Sequence, residues 1–557
     1  MAAPTGNTDA ETILLEVTGP WESILQGEAR AEFEAVLPQL LLKRRWFGGK
    51  GRPIHSATIQ GSIPVSHDGA RSFLVFIRVD YREGKSEVYV LALSYAEEGE
   101  DVRVPQQAAS SVFVRVRSGN IEGVVYDAVQ DRVFVSALLE LLRSNASISG
   151  ITGRIEAVRT ASFTAICGSQ PNTLEPHVMG AEQSNSSIVF GEQLILKLFR
   201  RLEEGINPDF EIGQFLTEHG YLHSPQVAGA LELHSTQSEP STVALLQGFV
   251  KNQGDAWKYT LERLQKTLQE VAQSKGALDG LLCPGEVPSP PEALVMVAGD
   301  YLDSVRLLAQ RTSELHLTLA SDHNEPNFAP ETVSAHYQQS VFREMCTVAT
   351  TVLSLLQDQL SKMGPAEQDV TRRVLAKRDD LLELFKPVTD PGLNAQRIRI
   401  HGDYHLGQVL FTGDDFIIID FEGEPMRSLR ERRIKRSPLR DVAGMIRSFD
   451  YAGQSALLRF PASEPEVSES LRRFTDAWVA WVSAIFVDRY LEVCDQSPFL
   501  PSHREKTIAL LAAFCLDKAV YEVGYEINNR PAWVRIPLNG IARILDQYLP
   551  KDERQVA

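Results

Sequence analysis

The stretch from His401 to Asp420 carries three oxygen-bearing side chains at the spacing that a phosphoryl-transfer site requires. It reads His-Gly-Asp-Tyr-His-Leu-Gly-Gln, continues through two apolar runs and ends at Asp420. Asp403 is placed to orient an attacking hydroxyl and take its proton, while Gln408 and Asp420 offer the hard oxygen ligands that Mg2+ prefers. The spacing therefore predicts a kinase-type catalytic loop that uses ATP and Mg2+.

A second segment supplies the cation that ATP phosphates need. Two apolar runs, 187–190 and 194–199, flank a Gly-Glu-Gln turn and predict a β-hairpin with Lys197 as the one charge of its second strand. A lysine inside a buried strand needs an anionic partner. The following Asn-Pro-Asp sequence predicts the start of a helix, and Glu211 projects toward the apolar side of that helix. We therefore expect an ion pair between Lys197 and Glu211.

Two further segments are predicted to contact the nucleotide. The hairpin is entered by a polar loop whose backbone amides and short side chains could cover the phosphates, although a plain polar loop fits the same residues. A later apolar strand leads to the position of a hinge, which would bind adenine through its backbone. The predicted contacts are Gln183, Ser184, Asn185, Ser186 and Ser187 in the loop, and Gln247, Phe249 and Val250 in the hinge.

Three residues beside the catalytic aspartate allow more than one interpretation. Glu422 lies on the same face as Asp420, where a metal ligand, a water-positioning group or a solvated side chain would all fit. His401 and His405 lie four residues apart, as in some metallohydrolases, but the sequence lacks the further clusters of His and Asp that such a site needs. His401 is predicted to hydrogen-bond the structure around Asp403, and it is also a candidate substrate contact.

One late helix is the predicted wall of a sugar site. Its i, i+4 spacings pair Lys518 with Glu522 and Tyr521 with Tyr525. Aromatic faces beside charged hydrogen-bonding groups are typical of sugar sites, but an ordinary amphipathic helix with a surface ion pair has the same pattern. His316, by contrast, falls at helical spacing among apolar residues and is predicted to be a packed core histidine.

Longer motifs resemble those of bacterial maltokinases, the ATP-dependent maltose 1-kinases related to aminoglycoside phosphotransferases. The resemblance implies an α+β, two-lobe protein-kinase-like fold with an N-terminal cap domain and a mostly helical C-lobe. It also implies transfer of a phosphoryl group from ATP to the anomeric hydroxyl of maltose, giving maltose 1-phosphate for trehalose and α-glucan (glycogen) metabolism. The motifs that carry it cover residues 45–51, 182–187, 196–201, 207–211, 401–408, 420–425 and 526–531.

The same resemblance suggests how the chain is divided. We expect a cap domain over residues 1–105, a kinase-like N-lobe with the ATP-binding hairpin and hinge over 106–250, and a mostly helical C-lobe with the catalytic loop and sugar site over 251–557. Maltose and ATP are the expected partners. A complex with trehalose synthase, or a fusion relationship to it, is a further expectation.

Composition narrows the functional classes. The net charge of −17 disfavours nucleic acids and anionic membranes. The run of seven basic residues from 427 to 440 is therefore predicted to balance nearby acids. Five scattered cysteines without a C-x-x-C motif indicate reduced thiols, and the absence of a long apolar run or a signal sequence predicts a cytoplasmic protein.

Two other functions fit the residues. One is a kinase for another small acceptor, such as glucosamine or an aminoglycoside, which acid-rich pockets would favour. The other is a non-catalytic nucleotide-binding module that regulates a partner. Because a non-catalytic module need not retain the lysine, the base and the metal ligands together, the sequence favours an enzyme.

Overall fold

The chain folds into two compact units, residues 1–251 and 252–557, in a computed structural model. The first unit consists mainly of β-strands and the second mainly of helices, which confirms the predicted α+β class. The structure describes residues 13–67, 70–97, 111–151, 153–168, 174–180, 184–235, 239–273, 284, 287, 289–460 and 465–548.

The first unit holds two sheets among its described residues. Its elements in chain order are β1 (Leu14–Val17), α1 (Gly27–Leu42), β2 (Ile54–His67), β3 (Ala70–Tyr81), β4 (Glu87–Glu97), β5 (Val112–Ser118), β6 (Ile121–Asp127), α2 (Arg132–Ser144), β7 (Ser147–Ser149), β8 (Arg154–Arg159), α3 (Phe163–Cys167), β9 (Pro176–Val178), β10 (Asn185–Phe190), β11 (Leu194–Phe199), β12 (Arg201–Leu202), α4 (Pro208–Glu218), β13 (Val227–His234) and β14 (Ser241–Gly248). The first sheet has the strand order β1-β5-β6-β4-β3-β2, with β12 paired to β4. The second sheet has the order β7-β8-β13-β14-β11-β10-β9.

The first sheet is covered on both faces. Side chains alternate along β3, so Val75 joins the core cluster that includes α1, while Leu74 joins the cluster that includes α2 and the second sheet. Each helix presents an apolar stripe with a period of four residues, for example at Phe33 and Leu37 of α1. Since β5 and β6 belong to this sheet, strands on both sides of residue 105 share one structure. The cap boundary near that residue stays a prediction.

The second sheet contains the predicted nucleotide-binding hairpin. Strands β10 and β11 pair antiparallel, with Ser187 opposite Lys197, which confirms the hairpin. Helix α4 begins where the sequence predicts, because the Asn207 side chain accepts a hydrogen bond from the Asp209 N–H at 2.8 Å and Pro208 occupies the first helical position.

The second unit is a helical assembly with two short antiparallel strand pairs among its described residues. Its elements are α5 (Ala256–Gln273), α6 (Glu292–Leu319), β15 (Glu331–Thr332), α7 (Ala335–Gln359), α8 (Pro365–Ala376), α9 (Arg378–Glu383), β16 (Gln396–Arg397), β17 (Val409–Phe411), β18 (Phe416–Ile418), α10 (Leu429–Arg432), α11 (Leu439–Arg459), α12 (Pro465–Val493), α13 (Arg504–Asn529) and α14 (Arg535–Tyr548). Helix α6 packs on α12, and α11 packs on both α12 and α13. The glycines and prolines between residues 276 and 291 predict a surface loop, and this segment lies largely outside the described residues.

Helix α11 lies at the centre of this unit and supports the catalytic loop. Its Gly444 permits close approach, since a Cβ atom there would lie 2.5 Å from the Tyr404 carbonyl oxygen. The Tyr404 hydroxyl also lies 2.8 Å from that of Thr312 on α6. Among the helices of the described chain, none combines the length and the apolar character that crossing a membrane would need.

Candidate active site

The catalytic loop is anchored by the buried carboxylate of Asp441 in the first turn of α11. This carboxylate accepts hydrogen bonds from the backbone N–H groups of His401 at 2.8 Å and Gly402 at 2.9 Å, and it contacts His316 Nε2 at 3.1 Å. Burial by itself raises the pKa of Asp441, but the hydrogen bond and charge of His316 help to hold it below its usual value. His316 is fully buried, which confirms the predicted core histidine. The anchoring aspartate was missed from the sequence.

The two histidines of the loop form hydrogen bonds with backbone groups. His401 is buried, its Nε2 donates to the Ile419 carbonyl at 2.9 Å, and its Nδ1 accepts the Asp403 N–H at 3.3 Å. His405 Nδ1 accepts the Gly407 N–H at 3.0 Å. Because both ring nitrogens of His401 are engaged, the alternative of a direct substrate contact is not supported and the structural interpretation is favoured.

The predicted catalytic carboxylate has a cation beside it. Asp403 Oδ1 lies 3.6 Å from Lys518 Nζ of α13, and the Asp403 side chain is 24% exposed. Lys518 also pairs with Glu424 at 3.0 Å. Burial alone would lower the pKa of Lys518, but Glu424 and Asp403 outweigh it and raise this pKa above its ordinary value. A protonated lysine therefore lies where an acceptor hydroxyl would approach Asp403.

Glu424 was also missed from the sequence. Burial raises its pKa, but Lys518 and Arg427 outweigh burial and lower the pKa to about 2. Arg427 Nε donates to Glu424 at 2.8 Å. Glu424 is therefore an ionised carboxylate that is already paired twice. Its position four residues after Asp420, in a segment rich in arginine, was the available signal.

Two of the three predicted metal ligands, Gln408 and Asp420, lie together. Gln408 ends a short 3-10 turn before β17, and Asp420 follows β18, so the β17–β18 hairpin brings them side by side. Gln408 Nε2 donates to Asp420 Oδ2 at 3.0 Å, which leaves the amide oxygen of Gln408 for a metal. An amide oxygen and a carboxylate form a donor set that fits Mg2+.

The backbone places Asp420 in an unusual conformation. Its φ angle is +66°, in the left-handed region that few residues other than glycine, Asn and Asp adopt. Glu422, the third predicted ligand, accepts a hydrogen bond from Arg432 through its backbone carbonyl at 2.9 Å. The role of its side chain stays a prediction.

In the first unit, Lys197 has a partner that the sequence analysis did not select. Its Nζ lies 3.1 Å from Asp209 Oδ2, and Asp209 is almost fully buried. Both Asp209 and Glu211 lie in the first turn of α4 and both are buried, so this turn provides a carboxylate for the lysine. The ion pair with Glu211 stays a prediction. The signal for Asp209 was its place directly after the Asn-Pro helix start.

The predicted phosphate loop is only partly covered by the structure. Gln183 lies outside the described residues, and Ser184 is exposed. Ser186 and Ser187 belong to β10, where Ser187 is fully buried. The Ser186 hydroxyl accepts a hydrogen bond from Arg200 Nε at 2.8 Å. Asn185 begins the strand, and nucleotide contacts from these residues stay predictions.

The predicted hinge follows β14. Gln247 lies in β14 and pairs with Ile195 and Val227 of the neighbouring strands. The Phe249 N–H donates to the Gln193 carbonyl at 2.8 Å. This N–H is therefore occupied, and a contact between Phe249 and adenine would have to use its carbonyl oxygen. The roles of Gln247 and Val250 stay predictions.

The predicted ion pair on the sugar-site helix is wrong. Glu522 does not pair with Lys518 one turn earlier; it pairs with Arg447 of α11 at 2.8 Å. Burial raises the pKa of Glu522, and the charge and hydrogen bond of Arg447 offset part of this effect.

The two tyrosines of the same helix face different cations. The Tyr521 ring lies 5.3 Å from Lys518 Nζ, whereas the Tyr525 ring lies 5.4 Å from the Arg530 guanidinium carbon. Tyr525 is also 45% exposed. Lys518 and Tyr521 are therefore the members of the predicted sugar wall that lie nearest the catalytic loop.

Comparisons with known proteins show which kinases the chain is similar to. Residues 41–131 match the family described as the maltokinase N-terminal cap domain. Glucosamine kinase from Streptacidiphilus jiangxiensis is 23% identical over 477 residues, 82% of this chain and 96% of that protein. Glucosamine kinase from Mycolicibacterium smegmatis is 24% identical over 448 residues, 80% of this chain and 94% of that protein.

Solved structures show the same fold. A glucosamine kinase in complex with glucosamine, ADP and inorganic phosphate has a TM-score of 0.59 at 17% identity, over 95% of this chain and 100% of that one. A second crystal form of glucosamine kinase has a TM-score of 0.60 over 96% of this chain. The chain thus shares the fold of these kinases, and its residues 41–131 are similar to the maltokinase N-terminal cap domain.

Proposed function

We propose that this protein transfers the γ-phosphoryl group of ATP to the anomeric hydroxyl of maltose and releases maltose 1-phosphate. The observation that carries the proposal is the carboxylate of Asp403, which lies beside Lys518 on a loop anchored by Asp441. In this proposal Asp403 orients the hydroxyl and accepts its proton. Lys197 binds the ATP phosphates, and Gln408 and Asp420, with Glu422 as a third ligand, would hold Mg2+. Bound Mg2+ would neutralise phosphate charge during transfer.

The charge beside Asp403 favours a neutral acceptor over an amino sugar. Both carboxylates near Lys518 already face that cation, at 3.6 Å for Asp403 and 3.0 Å for Glu424. An acceptor ammonium at about 4 Å from Lys518 would meet a repulsion of about 4 kcal/mol from this one cation at an effective dielectric constant of about 20. A neutral disaccharide does not meet this repulsion, so maltose fits the site better than glucosamine does.

The acceptor is tested by a coupled ADP-release assay over maltose, glucose, glucosamine and kanamycin. We expect maltose to give the highest kcat/KM, because its hydroxyls accept the Lys518 N–H groups without charge repulsion. The relatives named glucosamine kinase support glucosamine as the second candidate. Faster turnover of glucosamine or kanamycin than of maltose would show that maltose is not the preferred acceptor. Binding of ATP without ADP release on any sugar would instead support the regulatory module.

Replacing Lys518 tests the charge argument directly. We expect Lys518→Met to lower kcat/KM for maltose and to shift the maltose-to-glucosamine preference by at least about tenfold, since the repulsion of an ammonium is removed. Lys506→Met is a matched control on the same helix, because Lys506 pairs with Asp390 at 2.8 Å away from the catalytic loop. An unchanged preference in a folded Lys518→Met protein contradicts the argument.

A further inference from the structure

A cavity of about 80 Å³ lies inside the second unit, next to the catalytic loop. Four arginines from the basic run at 427–440 line it: Arg427, Arg432, Arg436 and Arg440. Lys518 and Gly402 line it too, so it borders the residues beside the proposed base. Lys435 from the same run does not line the cavity. It donates hydrogen bonds to the Pro326 and Ala329 carbonyls and has a structural role.

The carboxylates around the cavity are shared between cations. Glu344 serves two arginines, with its oxygens 2.9 Å from Arg427 and 4.0 Å from Arg436. Glu424 likewise serves both Arg427 at 2.8 Å and Lys518 at 3.0 Å. Each of these two carboxylates is therefore divided between two cations, and Lys518 has Asp403 as a second partner at 3.6 Å.

The other lining carboxylates also have partners. Asp517 accepts a hydrogen bond from Arg440 at 3.0 Å, and burial raises the pKa of this carboxyl even beside the guanidinium. Asp441 accepts hydrogen bonds from the backbone of the predicted catalytic loop and contacts His316. The incomplete pairing is therefore local to Arg436, because the lining as a whole holds five cations (Arg427, Arg432, Arg436, Arg440 and Lys518) and five carboxylates (Glu344, Glu424, Glu431, Asp441 and Asp517).

Arg436 has the least satisfied guanidinium of the cluster. Its side chain is only 12% exposed, its nearest carboxylate oxygen is 4.0 Å away, and its guanidinium forms no hydrogen bond with the part of the chain that the structure describes. Its backbone is fixed by paired hydrogen bonds with Ile398 at 2.8 and 2.9 Å. Burial lowers the pKa of Arg436, and the charges of Arg440 and Arg427 lower it further. Such a guanidinium, without a hydrogen bond and next to a cavity, is available to an anion that enters the cavity.

We propose that this cavity binds a tetrahedral oxyanion of the phosphate type, either inorganic phosphate or the phosphate group of a sugar phosphate. Guanidinium groups match phosphate oxygens in a bidentate geometry, and four of them line one small space. Its volume is several times the roughly 10–15 Å³ that one water molecule needs, so there is room for one such anion. The inference does not depend on the identity of the sugar acceptor.

Isothermal titration calorimetry on the full-length protein tests the site without nucleotide. Potassium phosphate and glucose 1-phosphate are titrated in separate experiments into wild type, Arg436→Gln and Arg430→Gln. Arg430 is an exposed arginine of the same segment and serves as the matched control. We expect Arg436→Gln to weaken anion binding by at least about tenfold, since a bidentate charged contact is lost. Arg430→Gln should stay within about twofold of wild type.

Two further variants complete the test. The first separates binding in this cavity from binding at the nucleotide site, and the second separates a bidentate contact from a simple charge effect. Lys197→Met removes phosphate binding at the nucleotide-binding hairpin and should leave the Arg436-dependent binding in place. Arg436→Lys keeps the charge, so it should bind more weakly than wild type but more tightly than Arg436→Gln. Tighter binding of glucose 1-phosphate assigns the site to a sugar phosphate, and tighter binding of phosphate assigns it to the free ion. If neither binds, or if binding is equal in wild type and folded Arg436→Gln, the proposal is overturned.

Discussion

Asp403→Asn is expected to lower kcat for ADP release by about 10²–10⁴-fold, the usual contribution of a positioned general base. The amide keeps the size of the side chain but cannot accept the proton of the attacking hydroxyl. The substitution also removes the negative charge from the 3.6 Å contact between residue 403 and Lys518, so Lys518 keeps Glu424 as its carboxylate partner.

The fold should survive this change. The backbone of the loop is held by the Asp441 carboxylate and by the ring of His401, neither of which depends on the Asp403 side chain. ATP affinity, measured by calorimetry, and the thermal unfolding midpoint are therefore expected to stay close to wild type. Turnover within about threefold of wild type would refute the assignment, since a catalytic base is worth far more.

Features with a local physical cause could be predicted from the sequence. The β10–β11 hairpin follows from two apolar runs around a glycine turn, and the start of α4 follows from an Asn-Pro pair. The hairpin that brings Gln408 beside Asp420 is also local, since twelve residues separate the two in sequence and they meet at 3.0 Å. Short-range pairing determines each of these.

Features with a long-range cause could not be predicted. The i, i+4 rule paired Lys518 with Glu522, yet such pairs are worth only about 0.2–0.5 kcal/mol. The tertiary structure brings a buried arginine, Arg447, from a different helix and so changes the partner of Glu522. In the same way, no local pattern shows that Asp441 caps the backbone of a loop that lies 40 residues earlier.

The catalytic loop and its support form one continuous polar network. His316 on α6 contacts Asp441, and Asp441 holds the backbone of His401 and Gly402, which precede the proposed base. His401 in turn donates to the Ile419 carbonyl, directly before Asp420. One buried network therefore positions both the proposed base and a proposed metal ligand, which is how rigid elements hold a site in place.

Asp420→Asn is expected to have the second large effect, on the response to magnesium. The variant loses the charged oxygen that would bind Mg2+ but tolerates the left-handed backbone at φ +66°, because Asn is among the few residues enriched there. Its side-chain oxygen can still accept the Gln408 N–H. The loss of metal stabilisation should lower kcat/KM for ATP by roughly 10²–10³-fold, equivalent to about 3–4 kcal/mol.

The magnesium titration separates this effect from a general loss of structure. The Mg2+ concentration for half-maximal ADP release should rise by at least about tenfold in Asp420→Asn, since one of few hard ligands is weakened. Asp414→Asn is the matched control, because Asp414 lies exposed in the turn of the same hairpin and contacts only Thr412 among the described residues. If the two variants give the same titration curve as wild type, Asp420 is not a metal ligand, and the donor pair with Gln408 has only a structural role in the hairpin.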